Sequence, residues 1–146
     1  MFYRVVVPTD FSDCSQEAWE LAKRVAAAPD SELVLVHVLT EAPRYGDGIL
    51  GIESARKIRD EARKWAEASL EDWVAKARAE GLDVRSALRT GVPYEEIVTL
   101  ARDERADLVV IGTHGRGGME RMLIGSVADS VVRLAPCPVL TVREPA

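Results

Sequence analysis

The sequence predicts an α/β fold, a five-stranded, mainly parallel sheet with helices on both faces. Three observations carry this. Short apolar or β-branched runs alternate with amphipathic segments along the chain, the pattern of repeated strand-helix-strand units. One of these runs, Leu108-Val109-Val110-Ile111, has no polar break, which suits a central strand covered on both faces. It leads directly into a glycine-rich stretch, Gly112 to Ser126, and then into a helix-forming segment.

Taken in order, Val5-Val6-Val7 after Tyr3-Arg4 reads as the first strand, ended by the turn residues Pro8-Thr9-Asp10-Phe11-Ser12. A first helix follows to about Ala28, with Asp13 and Gln16 as its N-terminal capping pair. Ala18, Leu21, Ala22 and Val25 form its inner face, and Pro29-Asp30 breaks it. Leu33 to Leu39 is the second strand, apolar apart from His37. Thr40 to Ile52 holds Pro43, Gly46, Gly48 and Gly51 and reads as a long loop. Ser54 to Glu80 is the longest helix, with Ile58, Ala62, Trp65, Ser69, Trp73 and Ala77 at steps of three and four. Val84 to Leu88 alternates as the third strand. Pro93 sits well in the first turn of a third helix whose inner face is Ile97, Leu100 and Ala101. The fourth strand, the glycine stretch and a helix from Ser126 to Leu134 come next. Pro136-Cys137-Pro138 introduces a last short strand, Val139 to Val142, placed at a sheet edge.

The stretch GTHGRGGMERMLIGS carries the chemistry. Gly112, Gly115, Gly125 and Ser126 fit Gly-x2-Gly-x9-Gly-Ser/Thr. With glycine at about 7% of residues, such a register arises by chance in well under ~1% of chains this size. Glycines let backbone approach a ligand, and free amides at a helix start attract anions, so the reading is a phosphate loop. The alternative is a solvated surface loop. No Gly-Lys-Ser/Thr and no Gly-x-Gly-x-x-Gly occurs, so it is neither a Walker loop nor a dinucleotide fingerprint. In a parallel α/β sheet, ligands sit beyond the carboxyl ends of the strands where the strand order reverses. Pro8-Thr9-Asp10 and Gly112-Thr113 would meet there.

Composition narrows the partners. With 146 residues, 47% hydrophobic and 29% charged, the chain reads as one soluble domain spanning 1–146. The net charge of −5 and the lack of a basic block argue against nucleic acid. No apolar run approaches membrane-spanning length and the first residues do not open a signal peptide, so a cytoplasmic protein without membrane association is expected. Cys14 and Cys137 lack metal-ligand spacing and read as reduced thiols. His37 reads as a packed strand histidine, His114 as a loop histidine without a catalytic partner.

Besides the glycine signature, Val6 to Ser12 (VVPTDFS), Leu35 to Val38 (LVHV) and Val132 to Leu140 (VRLAPCPVL) give the whole chain a resemblance to the universal stress protein family, in its ATP-binding branch. The resemblance implies a Rossmann-like fold shared with the adenine nucleotide alpha hydrolases. It also implies a site for ATP with Mg2+ or Mn2+. Pro8, Thr9 and Asp10 would lie at the ribose and metal-phosphate region, with Asp10 the candidate metal contact, and the Val38 backbone would recognise adenine. Gly112, Thr113, Gly115 and Arg116 would form the first half of the phosphate loop, and Gly125, Ser126 and Val127 the second. Arg116 can pair with phosphate oxygens or point into water. The resemblance further implies a homodimer through Val139–Val142. The first functional reading is therefore an ATP-binding, dimeric stress-response module. A slow ATPase or phosphoryl-transfer enzyme is the second, weakened by the missing P-loop lysine and by the absence of a nucleophile with its base. A dimerisation module without nucleotide is the third.

Overall fold

The structure is a computed structural model that describes residues 2–40, 49–114 and 125–143. Strands and helices alternate as β1 (Arg4–Pro8), α1 (Asp13–Val25), β2 (Glu32–Leu39), α2 (Ile49–Ala79), β3 (Asp83–Thr90), α3 (Pro93–Asp103), β4 (Leu108–Gly112), α4 (Ser126–Leu134) and β5 (Val139–Val142). The strands form one sheet in the order β3-β2-β1-β4-β5, and every pair is parallel. The chain winds outward from β1 through β2 to β3, then crosses back to β4 and β5.

That reversal decides which face each helix covers. Right-handed crossovers in opposite directions put their helices on opposite faces. Alternation along each strand supplies both cores. Val5, Val7, Leu33, Leu35 and Val110 pack against Ala18, Trp19 and Ala22 of α1 and Leu70, Val74 and Ala77 of α2. Val6, Val34, Val36, Val109 and Ile111 pack against Ile97, Leu100 and Ala101 of α3 and Ala128 and Val131 of α4.

Four expectations need correction. The N-cap of α1 is Ser12, not Asp13: its hydroxyl accepts the Ser15 N–H while Asp13 is already helical. The chain leaves Phe11 in the left-handed region, which makes Ser12 the extended residue at the helix entrance. The helix ends at Val25 rather than Ala28, and Ala26 closes it with an N–H to the Ala22 carbonyl.

The longest helix begins at Ile49, inside the expected loop, and the expected inner face holds only at its C-terminal end, where Trp73 packs against the core and Ala77 is buried. Ala66, Leu70, Val74 and Ala77 are buried, whereas Ile58, Ala62 and Trp65 are exposed. The reason is length. Arg78 donates to the Val84 carbonyl near the start of β3, and Arg63 reaches Thr90 at its end. Residues 49–62 therefore project past the strand ends by about 20 Å at 1.5 Å per residue.

At the opposite end of the sheet, the Asp107 carboxylate accepts the N–H groups of Tyr3 (2.8 Å) and Arg4 (3.1 Å). Arg85 joins Glu32 to Glu104, and Arg4 donates to the Glu104 carbonyl. Among the described residues, no helix is long and apolar enough to cross a membrane.

Candidate functional site

The expected crevice would lie where β1 and β4 are neighbours and the helices that follow them, α1 and α4, pack on opposite faces of the sheet. On the β1 side, Thr9 continues the ladder with its N–H on the Val36 carbonyl (2.8 Å) and is buried. Its hydroxyl starts an oriented chain. The Phe11 N–H donates to Thr9 Oγ1 (2.9 Å). Ser15 Oγ stands 3.0 Å from Thr9 Oγ1 and 3.0 Å from Asp10 Oδ1. An ionised carboxylate only accepts, so Ser15 donates to Asp10 and Thr9 donates to Ser15. Asp10 Oδ1 also accepts the Ser12 N–H at 3.0 Å. The Thr9 carbonyl meets His37 Nδ1 at 2.7 Å, which places the proton on Nδ1 because a carbonyl only accepts. Thr9 and Asp10 are thus brought to the crevice, but much of their hydrogen-bonding capacity holds the loop itself.

On the β4 side, two glycines are required by close approach. A Cβ on Gly112 would stand 3.0 Å from the Cys14 sulfur and 3.1 Å from the Cys14 carbonyl. This glycine seats β4 against the first turn of α1. A Cβ on Gly125 would come within 2.7 Å of the Thr113 carbonyl oxygen, which accepts the Gly125 N–H. The glycine stretch is therefore closed on itself at its two ends. Thr113 also donates its N–H to the Val142 carbonyl at 2.9 Å.

The Thr113 hydroxyl stands apart from this. The residue is only 2% exposed, and Oγ1 has no hydrogen-bond partner among the described residues. Burying a hydroxyl without a partner is costly, so an orphan at this place points to a group it is built to meet. Directly beyond Gly125, α4 starts with no side-chain cap. The amides of Ser126, Val127 and Ala128 precede the first intrahelical donor, the Asp129 N–H on the Gly125 carbonyl, so they lie in the first turn that an anion can meet.

Val38 lies near the carboxyl end of β2, opposite Arg89 of β3, half-buried against the α3/α4 core. The residues expected from the sequence to form a site, Pro8, Thr9, Asp10, Val38, Gly112, Thr113, Gly125, Ser126 and Val127, thus gather at one end of the sheet. Gly115 and Arg116 lie outside the described residues. His37 is the packed strand histidine that was expected. Sequence reasoning missed Ser15, Phe11 and the core residue Trp19. The hydroxyls at 9, 12 and 15 around one aspartate were the available signal for Ser15. Among the described residues, no group of three His, Cys, Asp or Glu could hold a metal. The Asp10 carboxylate is of the oxygen-donor type that suits a hard cation carried by a phosphate ligand. Away from the crevice, burial and then the nearby Asp107 charge push the Cys137 thiol up, so it stays protonated and inert.

Taken together, the chain is a doubly wound parallel α/β protein that carries, where its strand order reverses, a loop closed between Thr113 and Gly125, an orphaned hydroxyl and an uncapped helix N-terminus. The sequence model of the Universal stress protein family matches residues 1–143. The chain belongs to the universal stress protein family. It is 37% identical to Universal stress protein MJ0531 of Methanocaldococcus jannaschii, over 99% of this chain and 84% of that one. Its fold superposes on the solved structure of MJ0577 from the same organism with a TM-score of 0.89, at 29% identity, covering 99% of this chain and 98% of the other. A universal stress protein solved in complex with cAMP matches at TM-score 0.71 and 29% identity, over 96% of each chain. The Archaeoglobus fulgidus universal stress protein in complex with dAMP matches at TM-score 0.70 and 26% identity, over 96% of this chain and 97% of the other.

Proposed function

We propose that this protein is an ATP-binding regulatory module of the stress response, acting in the cytoplasm as a homodimer. The observation that carries the reading is the buried, unpartnered Thr113 hydroxyl beside the uncapped start of α4. Phosphate would meet that hydroxyl, the amides of Ser126 and Val127 and the Ser126 hydroxyl, with Gly115 and Arg116 completing the loop. Adenine would be read by the Val38 backbone, and Asp10 would hold the ribose or a Mg2+ or Mn2+ ion carried by the nucleotide. The cAMP and dAMP complexes of related proteins support an adenine nucleotide in this fold. Ligand that binds only the ordered loop stabilises it by mass action, which suffices for a signal without turnover.

The test is to denature freshly purified protein, identify any released nucleotide, and titrate stripped protein with ATP, AMP and cAMP, with and without Mg2+. Bound nucleotide near one per chain, lost in Gly125→Val while the fold persists, is expected. No released nucleotide and no binding at millimolar ATP would overturn the reading and leave a dimerisation module.

A further inference from the structure

Phe11 has a backbone φ of +64°, in the left-handed region that bulky residues rarely occupy. It sits between Asp10 and Ser12, so this unfavoured backbone sets the direction in which the crevice loop leaves β1. Its ring supplies the compensation. The centroid lies 4.9 Å from His37, 5.1 Å from Trp65 and 5.4 Å from Trp73, the two indoles being met edge-on at 83° and 88°. Edge-to-face pairs at these separations are attractive.

These contacts run in two directions. His37 returns to the loop, because its Nδ1–H holds the Thr9 carbonyl one residue before Asp10. Trp65 and Trp73 belong to α2. Trp65 stands two residues after Arg63, which reaches the last residue of β3, so it sits where α2 leaves the sheet. It is 44% exposed and also lies 6.4 Å from the His37 ring. Phe11 therefore meets α2 at two places, at Trp73, which packs against the core, and at Trp65, where the projecting part begins.

We propose that Phe11 is a positioning residue that couples the crevice loop to the projecting half of α2. Occupation of the crevice and orientation of that half-helix then share one equilibrium. The inference rests on the nucleotide reading above and identifies the element through which a filled site is read. A ligand that shifts residues 8–10 turns the backbone at Phe11 and carries its ring across both tryptophans. The half-helix it moves presents Ile52 and Ile58 to solvent, at 57% and 61% exposure. Coupling free energy is reciprocal, so a change at Trp65 must alter affinity in the crevice without touching it.

The experiment is 19F NMR of 5-fluorotryptophan-labelled protein, titrated with Mg-ATP, with the Trp65 resonance assigned by its loss in Trp65→Phe. The expected result is a Trp65 resonance that moves as the site fills. By calorimetry, Phe11→Leu, Phe11→Gly and Trp65→Ala should each weaken Mg-ATP roughly five- to tenfold, the lower range of coupling between sites. Ile58→Ala, on the same half-helix but away from the junction, should keep wild-type affinity. Phe11→Gly accepts the left-handed backbone but lacks the ring, so its loss of affinity assigns the effect to the aromatic contacts. Saturable binding with an unmoved Trp65 resonance would overturn the coupling while leaving the nucleotide reading intact, and needs no Phe11 variant to fold. Wild-type affinity in Phe11→Gly would overturn it too. A wild-type protein that binds no nucleotide would remove both readings together.

Discussion

A single buried hydroxyl tests the site without disturbing its shape. Thr113→Val replaces Oγ1 by a methyl group of similar size and leaves the N–H to Val142 in place. Removing an unpaired buried hydroxyl should leave the ligand-free protein as stable as the parent or up to about 1–3 kcal/mol more stable. The same change should weaken phosphate binding. Opposite signs in thermal unfolding and nucleotide titration separate a binding role from a packing role; a loss of stability would mean that the hydroxyl has a partner. Glu104 offers a different residue-scale test. The hydrogen bond from Arg85 holds its carboxyl below the usual carboxylate range, against the desolvation of partial burial. A depressed carboxyl stabilises the fold above its unfolded-state pKa, and that contribution is lost as pH falls through the folded-state value. Glu104→Gln should therefore cost at most about 1 kcal/mol near pH 7, since such pairs are solvent-screened. The difference should fade below roughly pH 4, as measured by denaturant unfolding across pH.

Among the elements, α2 shows where periodicity misleads. Positions 65, 69 and 73 and positions 66, 70 and 74 are both runs of apolar or small residues, so the sequence offers two stripes one residue apart. Which stripe is buried depends on where the sheet lies, and on the fact that half of the helix has no sheet beneath it. Leu70→Ala should cost about 2–5 kcal/mol, as a buried truncation does. Ile58→Ala should stay within about 0.5 kcal/mol. Equal effects in chemical denaturation would refute the assigned helix face. The start of α1 was misread for a related reason. Ser12 and Asp13 both suit a cap, and the left-handed turn at Phe11, which no local pattern announced, chose between them.

For the whole molecule, the question is what covers the free side of β5. Val109 and Thr113 donate their N–H groups to the Pro138 and Val142 carbonyls. By the alternation of a parallel ladder, Leu140 and Val142 turn their backbone groups toward β4, and Val139 and Thr141 turn theirs outward. An edge of this kind is open to pairing with a second copy, in keeping with the proposed homodimer. Thr141→Pro removes an outward N–H without breaking the ladder to β4. Light scattering should find a dimer in the parent and a monomer in the variant, with the helical circular dichroism retained. A dimer that survives Thr141→Pro would place the contact elsewhere.

The alternation of strands and helices, the meeting of the ends of β1 and β4, and the bounds of α4 and β5 were legible in the chain. Each rests on local chemistry: β-branched runs, helix periodicity, and glycines at fixed spacing. The roles of Gly112 and Gly125 were only half legible, because the spacing marks them but not the atoms they make room for, at distant Cys14 and across the loop at Thr113. The buried stripe of α2, the orphaned Thr113 hydroxyl and the aromatic junction around Phe11 were decided by tertiary structure alone. Each depends on which surfaces the sheet brings together, and a pattern along one segment cannot encode what will stand opposite it.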